Sequence, residues 1–443
     1  MKRWLFLWLC TCSLWLACSD SSQSPEFHVS SSEFTWDATV REQLLTVATP
    51  TVWSARSDVN WCQPIQRTGS KGMQVRLWVS PNLTAQSRTG NLTISSGGQV
   101  KIIKLTQPAY TGNVDDYEYV LPVVFHVLYK DEADEQQNVR KNWLASLLAK
   151  VNKVYSNNRI GVKFEMAAYD EKGEALEEPG VMRHQVSSES FSPTSFLRGV
   201  GVAKDVAEYG QHLRRFINIY VFRFAHDPSD KDTQTLGISN FPLTTTAHPL
   251  DSLVAVPNIE NYTHMNTPWG VCINNEEIYT LSDRIYRDAD VSVTLAHELG
   301  HYLGLLHSFS EVGCLYDDAC SDTPVSDYTA YREYISQLID DYNRAYHGSV
   351  NLSFDLLATR ENCQEAGRTF VADNVMDYSY CYCTVLTTQQ RARIRHVLNY
   401  VPLVPGPKLV DYGVAANTRS LSTVSPRLSH CPSLPVQQVS VVP

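Results

Sequence analysis

The stretch HELGHYLGLLHSF, residues 297–309, decides how the rest of the chain is read. Three histidines and a glutamate stand in an otherwise apolar segment. It continues VSVTLA (291–296), which follows Asp288 and Asp290, and either aspartate can cap a helix N-terminus. On such a helix His297 and His301, four residues apart, share a face and turn their rings toward one spot. Glu298 is one position round from a ligand, poorly placed to coordinate but well placed to reach a water on the same ion. Gly304 can adopt a positive φ, end the helix and let His307 return as a third ligand. Three nitrogens around a tetrahedral ion, with the fourth corner left open, is the pattern of a catalytic zinc rather than a structural one. HExxH alone recurs in unrelated helices. The extended HExxHxxGxxH fixes five positions and arises by accident in only a few of about 100,000 chains this long.

The ends of the chain set the compartment. MKRWLFLWLCTCSLWLACSD (1–20) has a basic tip, a short apolar run and a small residue before Cys18, the layout of a signal peptide. LWLAC resembles the bacterial lipobox, so Cys18 is expected to be lipidated and to become the mature N-terminus, although Trp15 departs from the usual aliphatic residue; ordinary cleavage after Ala17 is the alternative. Both readings take the chain out of the cytoplasm, and a lipid anchor at Cys18 would hold it to the cell envelope. No later stretch approaches the ~20 apolar residues of a membrane helix. The 443 residues suggest two or three domains, and 47 acidic against 37 basic side chains argue against nucleic acid as a partner. Of the eleven cysteines, Cys314, Cys320, Cys363, Cys381 and Cys383 form a cluster that reads as disulfides in an oxidising compartment. Spacing leaves their pairing open.

Residues 19–27 form a polar tether. From 28 to 109 short alternating segments, such as MQVRLWVS (73–80) and QVKIIKLTQ (99–107), lie between turn residues at the spacing of an all-β sandwich. YTGNVDDY (110–117) is a linker. Beyond it the pattern changes. YVLPVVFHVLY (119–129) is a buried strand, NVRKNWLASLLAKVNKVYS (138–156) an amphipathic helix, and GVKFEMAAYD (161–170) and RFINIYVFRFA (215–225) further strands. The β-α-β-β order predicts a mixed sheet with helices. The expected fold is therefore multidomain, all-β and then α+β. The tail 403–443, rich in Pro, Ser and Val, is expected to have little regular structure.

Two resemblances sharpen this reading. SDVNWC (57–62) with PNLTAQSRTGNLTI (81–94) makes the first domain similar to the BACON family, immunoglobulin-like modules of Gram-negative surface proteins for which carbohydrate or mucin binding has been proposed. Trp61 and Trp78 are then candidates for stacking on sugars, against the commoner fate of core burial, and a plain spacer is the favoured role. Downstream, NVMDYSY (374–380) supplies a methionine at the distance expected of the metzincin proteases. YVLPVVFHVLY, LGISNFP (236–242), the histidine motif, CSDTP (320–324), NVMDYSYC and LTTQQRARIRHVL (386–398) follow the order of the pappalysin family over roughly 118–402. That resemblance implies His297, His301 and His307 as zinc ligands, Glu298 as general base, Met376 in a Met-turn and Tyr378 as a stabiliser of the transition state. It also implies LGISNFP as the sheet-edge strand along which a peptide substrate lies, with hydrolysis of that peptide as the activity. Calcium near the DTP segment is a further implication, with Asp317, Asp318, Asp322 and Thr323 as oxygen donors and a solvated acidic loop as the alternative. REYISQLIDDYNRAY (332–346), helix-like, lies in an insertion between Pro324 and Cys363 that compact members lack.

Other readings compete. The protein could be a surface glycan- or protein-binding lipoprotein in which the protease site is accessory or vestigial, but no ligand and no base is missing from the motif. Zinc-dependent deacetylation is weakened by the edge strand and the Met-turn. Latency has no evident propeptide, leaving a mobile thiol, Cys62 or Cys431, as the candidate zinc blocker.

Overall fold

The structure, a computed structural model, describes residues 26–70, 72–200, 210–211, 213–225, 235–257, 267–281, 290–346, 352–378, 380–410, 428–432 and 441–442. The proposed signal peptide, Cys18 and Asp288 lie outside these. No helix among the described residues is long and apolar enough to cross a membrane.

Residues 27–107 form two mostly antiparallel sheets of four and five strands around one core. Alternation sets the packing: in Gln74–Val79, Val75, Leu77 and Val79 turn inward while the residues between stay more exposed. Arg88–Ser96 and Gln99–Gln107 are joined by Gly97–Gly98, both at positive φ, as a two-residue hairpin turn requires. The two tryptophans separate. Trp61 is buried edge-on to Trp36, whereas Trp78 lies on the outer face, half-buried.

The second domain is built on a mixed sheet. Its order runs Val162–Met166, Tyr119–Tyr129, Ile217–Phe224, Val271–Asn274, Thr235–Asn240, Leu428–Pro432. The first four strands are parallel, and the last two are each antiparallel to the neighbour before. Tyr119–Tyr129 reads as a continuous apolar run because both faces are covered. Val123, Phe125 and Val127 pack with Leu144, Leu148 and Leu299, whereas Leu128 joins Phe196 and Phe222 on the other side. The helix Lys141–Asn157 also holds the histidine helix, Val291–Tyr302, through the Tyr155 hydroxyl, which donates to the Ala296 carbonyl at 3.0 Å. The core continues to Leu403 and Val404. The inserted segment carries the helix Tyr328–Tyr346 and a small core of its own, where Ile335 and Ile339 pack with Phe354, Leu357 and Tyr378.

Two expectations are corrected. The tail is not without regular structure, since Leu428–Pro432 pairs with Thr235–Asn240 and Val441–Val442 with Leu352–Ser353. An open strand edge presents unpaired N–H and C=O groups, and an extended segment of low helix propensity can satisfy them. Of the cysteine cluster only Cys314–Cys363 is bonded; Cys320, Cys381 and Cys383 are free thiols. Cys381 donates instead to the Asn374 carbonyl at 3.2 Å and accepts from the Cys383 amide, and Cys320 lies buried near Asp318.

Candidate metal centre

The histidine helix begins at Asp290, whose side chain accepts from the Ser292 amide at 2.8 Å. It ends in a Schellman arrangement. The Gly304 amide bonds the His301 carbonyl and the Leu305 amide bonds the Gly300 carbonyl, each at 2.9 Å, with Gly304 at φ +93°. A Cβ on Gly304 would stand 2.7 Å from Val397 Cγ2. Replacing Gly304 by Ala should therefore cost about 1–3 kcal/mol and pull His307 out of place. Denaturant unfolding and zinc titration of the variant check both effects.

The turn brings the three rings together. His301 Nε2 lies 2.9 Å from His297 Nε2 and 3.0 Å from His307 Nε2. His297 Nδ1 is 2.8 Å from the Val375 carbonyl and His301 Nδ1 2.8 Å from the Leu305 carbonyl. A carbonyl only accepts, so each Nδ1 carries the proton and each Nε2 presents a lone pair. His307 Nδ1 faces the Glu311 carboxylate at 3.8 Å. Lone pairs this close repel unless a cation sits among them. Protonation is a poor remedy, because burial lowers the His297 pKa to about 4, against the opposing bond to Val375. The donor set thus fits a zinc ion, for which imidazole is a natural ligand. Among the described residues this is the one His, Cys, Asp or Glu group close enough to hold a metal.

The surroundings fix the rings. Met376 is fully buried beneath the helix, its Sδ 2.5 Å from where a Cβ on Gly300 would be. Its carbonyl accepts from the Ser308 amide at 3.1 Å. The Tyr378 ring centroid is 4.6 Å from that of His307 and 5.6 Å from that of His297. Phe309 stacks on His307 at 4.7 Å and Phe241 meets His301 edge-on at 5.1 Å. Glu298, fully buried, lies between the helix and the strand Thr235–Asn240. A Cβ on Gly237 would stand 2.6 Å from Glu298 Cγ and 3.0 Å from its Oε1. Gly237 escaped sequence reading, although a glycine inside a strand pattern signals close backbone or side-chain approach. Arg360 also escaped it. Fully buried, it covers the Tyr331 ring at 3.4 Å, reaches the Tyr378 carbonyl at 3.4 Å and stands 3.8 Å from Asp377. Near the rings opens a cavity of about 700 Å³, lined by Glu311 and Tyr378 and by Tyr328, Arg332, Glu333 and Ser336 of the inserted helix.

The acidic residues near DTP do not form a cage of the same kind. Asp318 is buried, accepting from the Cys320 amide and from Gln390, and burial raises its pKa to about 6. Asp317 accepts from the Ala319 amide and Asp322 from the Gln389 amide, and Thr323 is within hydrogen-bonding distance of Thr387. Both oxygens of Asp318, and one each of Asp317 and Asp322, thus accept from protein donors. The thiol candidates for latency also part. Cys62 is buried in the N-terminal core, its pKa pushed up to about 12 by burial, so it is no mobile blocker. Cys431 lies in the strand Leu428–Pro432, at the register position opposite Gly237.

Comparison with known proteins agrees with this geometry. Residues 260–399 match the Peptidase_M43 family, described as pregnancy-associated plasma protein-A, and residues 51–107 match the BACON family, described as an N-terminal binding domain. No curated protein matches the chain significantly. Among solved structures, a Bacteroides ovatus GH5 xyloglucanase in complex with a XXXG heptasaccharide is 14% identical at a TM-score of 0.19, the alignment covering 47% of this chain and 57% of the xyloglucanase. A Bacteroides thetaiotaomicron protein solved by NMR is 15% identical at a TM-score of 0.16, over 22% of this chain and 98% of its own. The E. coli chaperone DraB is 12% identical at a TM-score of 0.16, over 21% of this chain and 60% of its own. At these TM-scores the likenesses carry no argument. The family matches bear on the site: residues 260–399, which match the pappalysin-like Peptidase_M43 metallopeptidases, hold all three histidines, and residues 51–107 match the BACON family.

Proposed function

We propose that the chain is a zinc-dependent endopeptidase acting on extracytoplasmic proteins or peptides, exported by its signal peptide and tethered through a lipid on Cys18 to the outer membrane of a Gram-negative envelope. One observation carries the activity: three Nε2 atoms converge, those of His297 and His301 from the last turns of one helix and that of His307 from beyond the turn after it, with the buried Glu298 carboxylate on the same helix. His297, His301 and His307 would hold the ion. A zinc ion bound there supplies Lewis acidity, lowering the pKa of a coordinated water from about 15.7 toward about 7.

The chain's own groups supply the rest. Glu298 is the general base, taking the proton from the attacking water and returning it to the leaving amine. The Tyr378 hydroxyl donates to the oxyanion that develops at the scissile carbonyl. Met376 supports the rings from below and Arg360 holds the backbone at Tyr378. Thr235–Asn240 is not an open edge, since Val271–Asn274 and Leu428–Pro432 pair with its two sides; with Leu428–Pro432 released, a peptide would pair there by backbone hydrogen bonds, passing Gly237, where the missing side chain leaves room for Glu298. Gly237→Ala should therefore lower kcat/KM by about 10²-fold through displacement of the base and cost about 1–3 kcal/mol of stability through overpacking, while zinc content stays near the parent's. An unchanged kcat/KM would contradict this placement of Glu298.

The cavity between Tyr378 and the inserted helix is the place for a substrate side chain beyond the scissile bond. The BACON segment would serve as a spacer, with half-buried Trp78 as its candidate for glycan contact. Cleavage of a peptide library with and without a chelator tests the reading as a whole. Metal-dependent cleavage at internal bonds is expected. Intact peptides in both arms, from a folded chain that holds zinc, would overturn it.

A further inference from the structure

The strand that should receive substrate already has a partner from the same chain. Leu428–Pro432 runs antiparallel along Thr235–Asn240, with Asn240 opposite Leu428, Ser239 opposite Ser429, Ile238 opposite His430 and Gly237 opposite Cys431. On its other edge Thr235–Asn240 pairs with Val271–Asn274, so the tail takes the remaining row of N–H and C=O groups. The register sets the tail at the level of the proposed base. Gly237 is the residue against which Glu298 packs, and Cys431 is its partner across the strand pair. The histidine helix itself runs alongside the tail strand, a second contact independent of the strand pairing.

We propose that Leu428–Pro432 is a built-in occupant of the substrate cleft, which holds the enzyme in a low-activity state by strand addition. The inference rests on the endopeptidase reading for its consequence but on backbone pairing alone for its geometry. Strand addition draws its affinity from main-chain hydrogen bonds, and a peptide can pair with Thr235–Asn240 only after those bonds to the tail are released. The competition is intramolecular. A tethered segment acts at an effective concentration of about 1 mM, comparable with the upper end of common KM values, about 1 mM. An untethered peptide at micromolar concentration is therefore at a disadvantage. Removal of the tail should lower KM far more than it changes kcat, since it adds no group to the chemistry.

The test compares the full chain, a chain ended after Val410, and a full-length Ser429→Pro/His430→Pro variant. In the double variant neither of the two successive residues can donate an amide hydrogen bond. Backbone hydrogen exchange is read over Thr235–Asn240, and cleavage of a fluorogenic peptide is read at concentrations well below KM. The expected result is exchange at least about tenfold faster over part of that strand in both altered chains, with kcat/KM at least about tenfold higher. Equal exchange in all three chains overturns the proposal, because the tail is then not on the strand. Protection by the tail with equal cleavage overturns it too, because the tail then does not exclude peptide. Absence of cleavage from every chain strikes the endopeptidase reading instead, and the exchange data still decide whether the tail is docked. The double variant guards against a truncated chain that fails to fold.

Discussion

Replacing Glu298 by Gln should leave zinc bound and lower kcat by about 10²–10⁴-fold. Gln has nearly the volume of Glu, and the site is fully buried between the histidine helix and Gly237, so the packing is kept. The amide cannot accept the proton of the attacking water or hand it to the leaving nitrogen. KM should change little, because the strand Thr235–Asn240 and the cavity beside Tyr378 are untouched. Single-turnover cleavage of an unfolded protein, with zinc measured in the same sample, separates loss of the base from loss of the metal. A variant that cleaves within about threefold of its parent would remove Glu298 from the chemistry.

His301→Ala should have the largest effect on the metal. Its Nε2 stands between those of the other two histidines, at 2.9 and 3.0 Å, so its loss leaves two separated donors where three converged. Zinc should fall from about one ion per chain to a small fraction, and cleavage should fall by about 10³-fold or more. A chelator applied to the parent should reproduce the effect, with activity returning on added zinc. Stability should follow. An ion bound only by the folded chain at about 1,000 times its Kd adds about 4 kcal/mol, so stripped protein and the variant should unfold earlier and at similar denaturant concentrations. If the variant still holds stoichiometric zinc, the ligand set is different.

How much of this was legible in the sequence follows from how local each feature is. His297 and His301 are four residues apart on one helix, and Gly304 needs only its own positive φ to start the return to His307. These could be read directly. Met376 and Tyr378 could be placed by their order after the motif, and the structure brings both beneath and beside the rings. The continuous apolar run of Tyr119–Tyr129 signalled a strand covered on both faces, as found. Features that depend on a partner far along the chain stayed hidden. Gly237 matters because of Glu298, sixty-one positions later in the numbering. Arg360 matters because an inserted segment folds back onto Asp377 and Tyr378. Cysteine spacing could not tell that Cys314 meets Cys363 while Cys381 turns to the Asn374 carbonyl. The tail composition suggested irregular chain because strand formation there depends on an open edge elsewhere, not on its own pattern.

The proposed activity requires three neutral imidazoles meeting at one ion. X-ray absorption at the zinc edge of the purified, folded chain tests this directly, since it reads the ligand atoms and their distances without reference to activity. The expected spectrum is one zinc per chain, with imidazole nitrogens at about 2.0–2.1 Å and multiple scattering from three rings. A chain free of bound metal, or a shell without imidazole scattering, would contradict it.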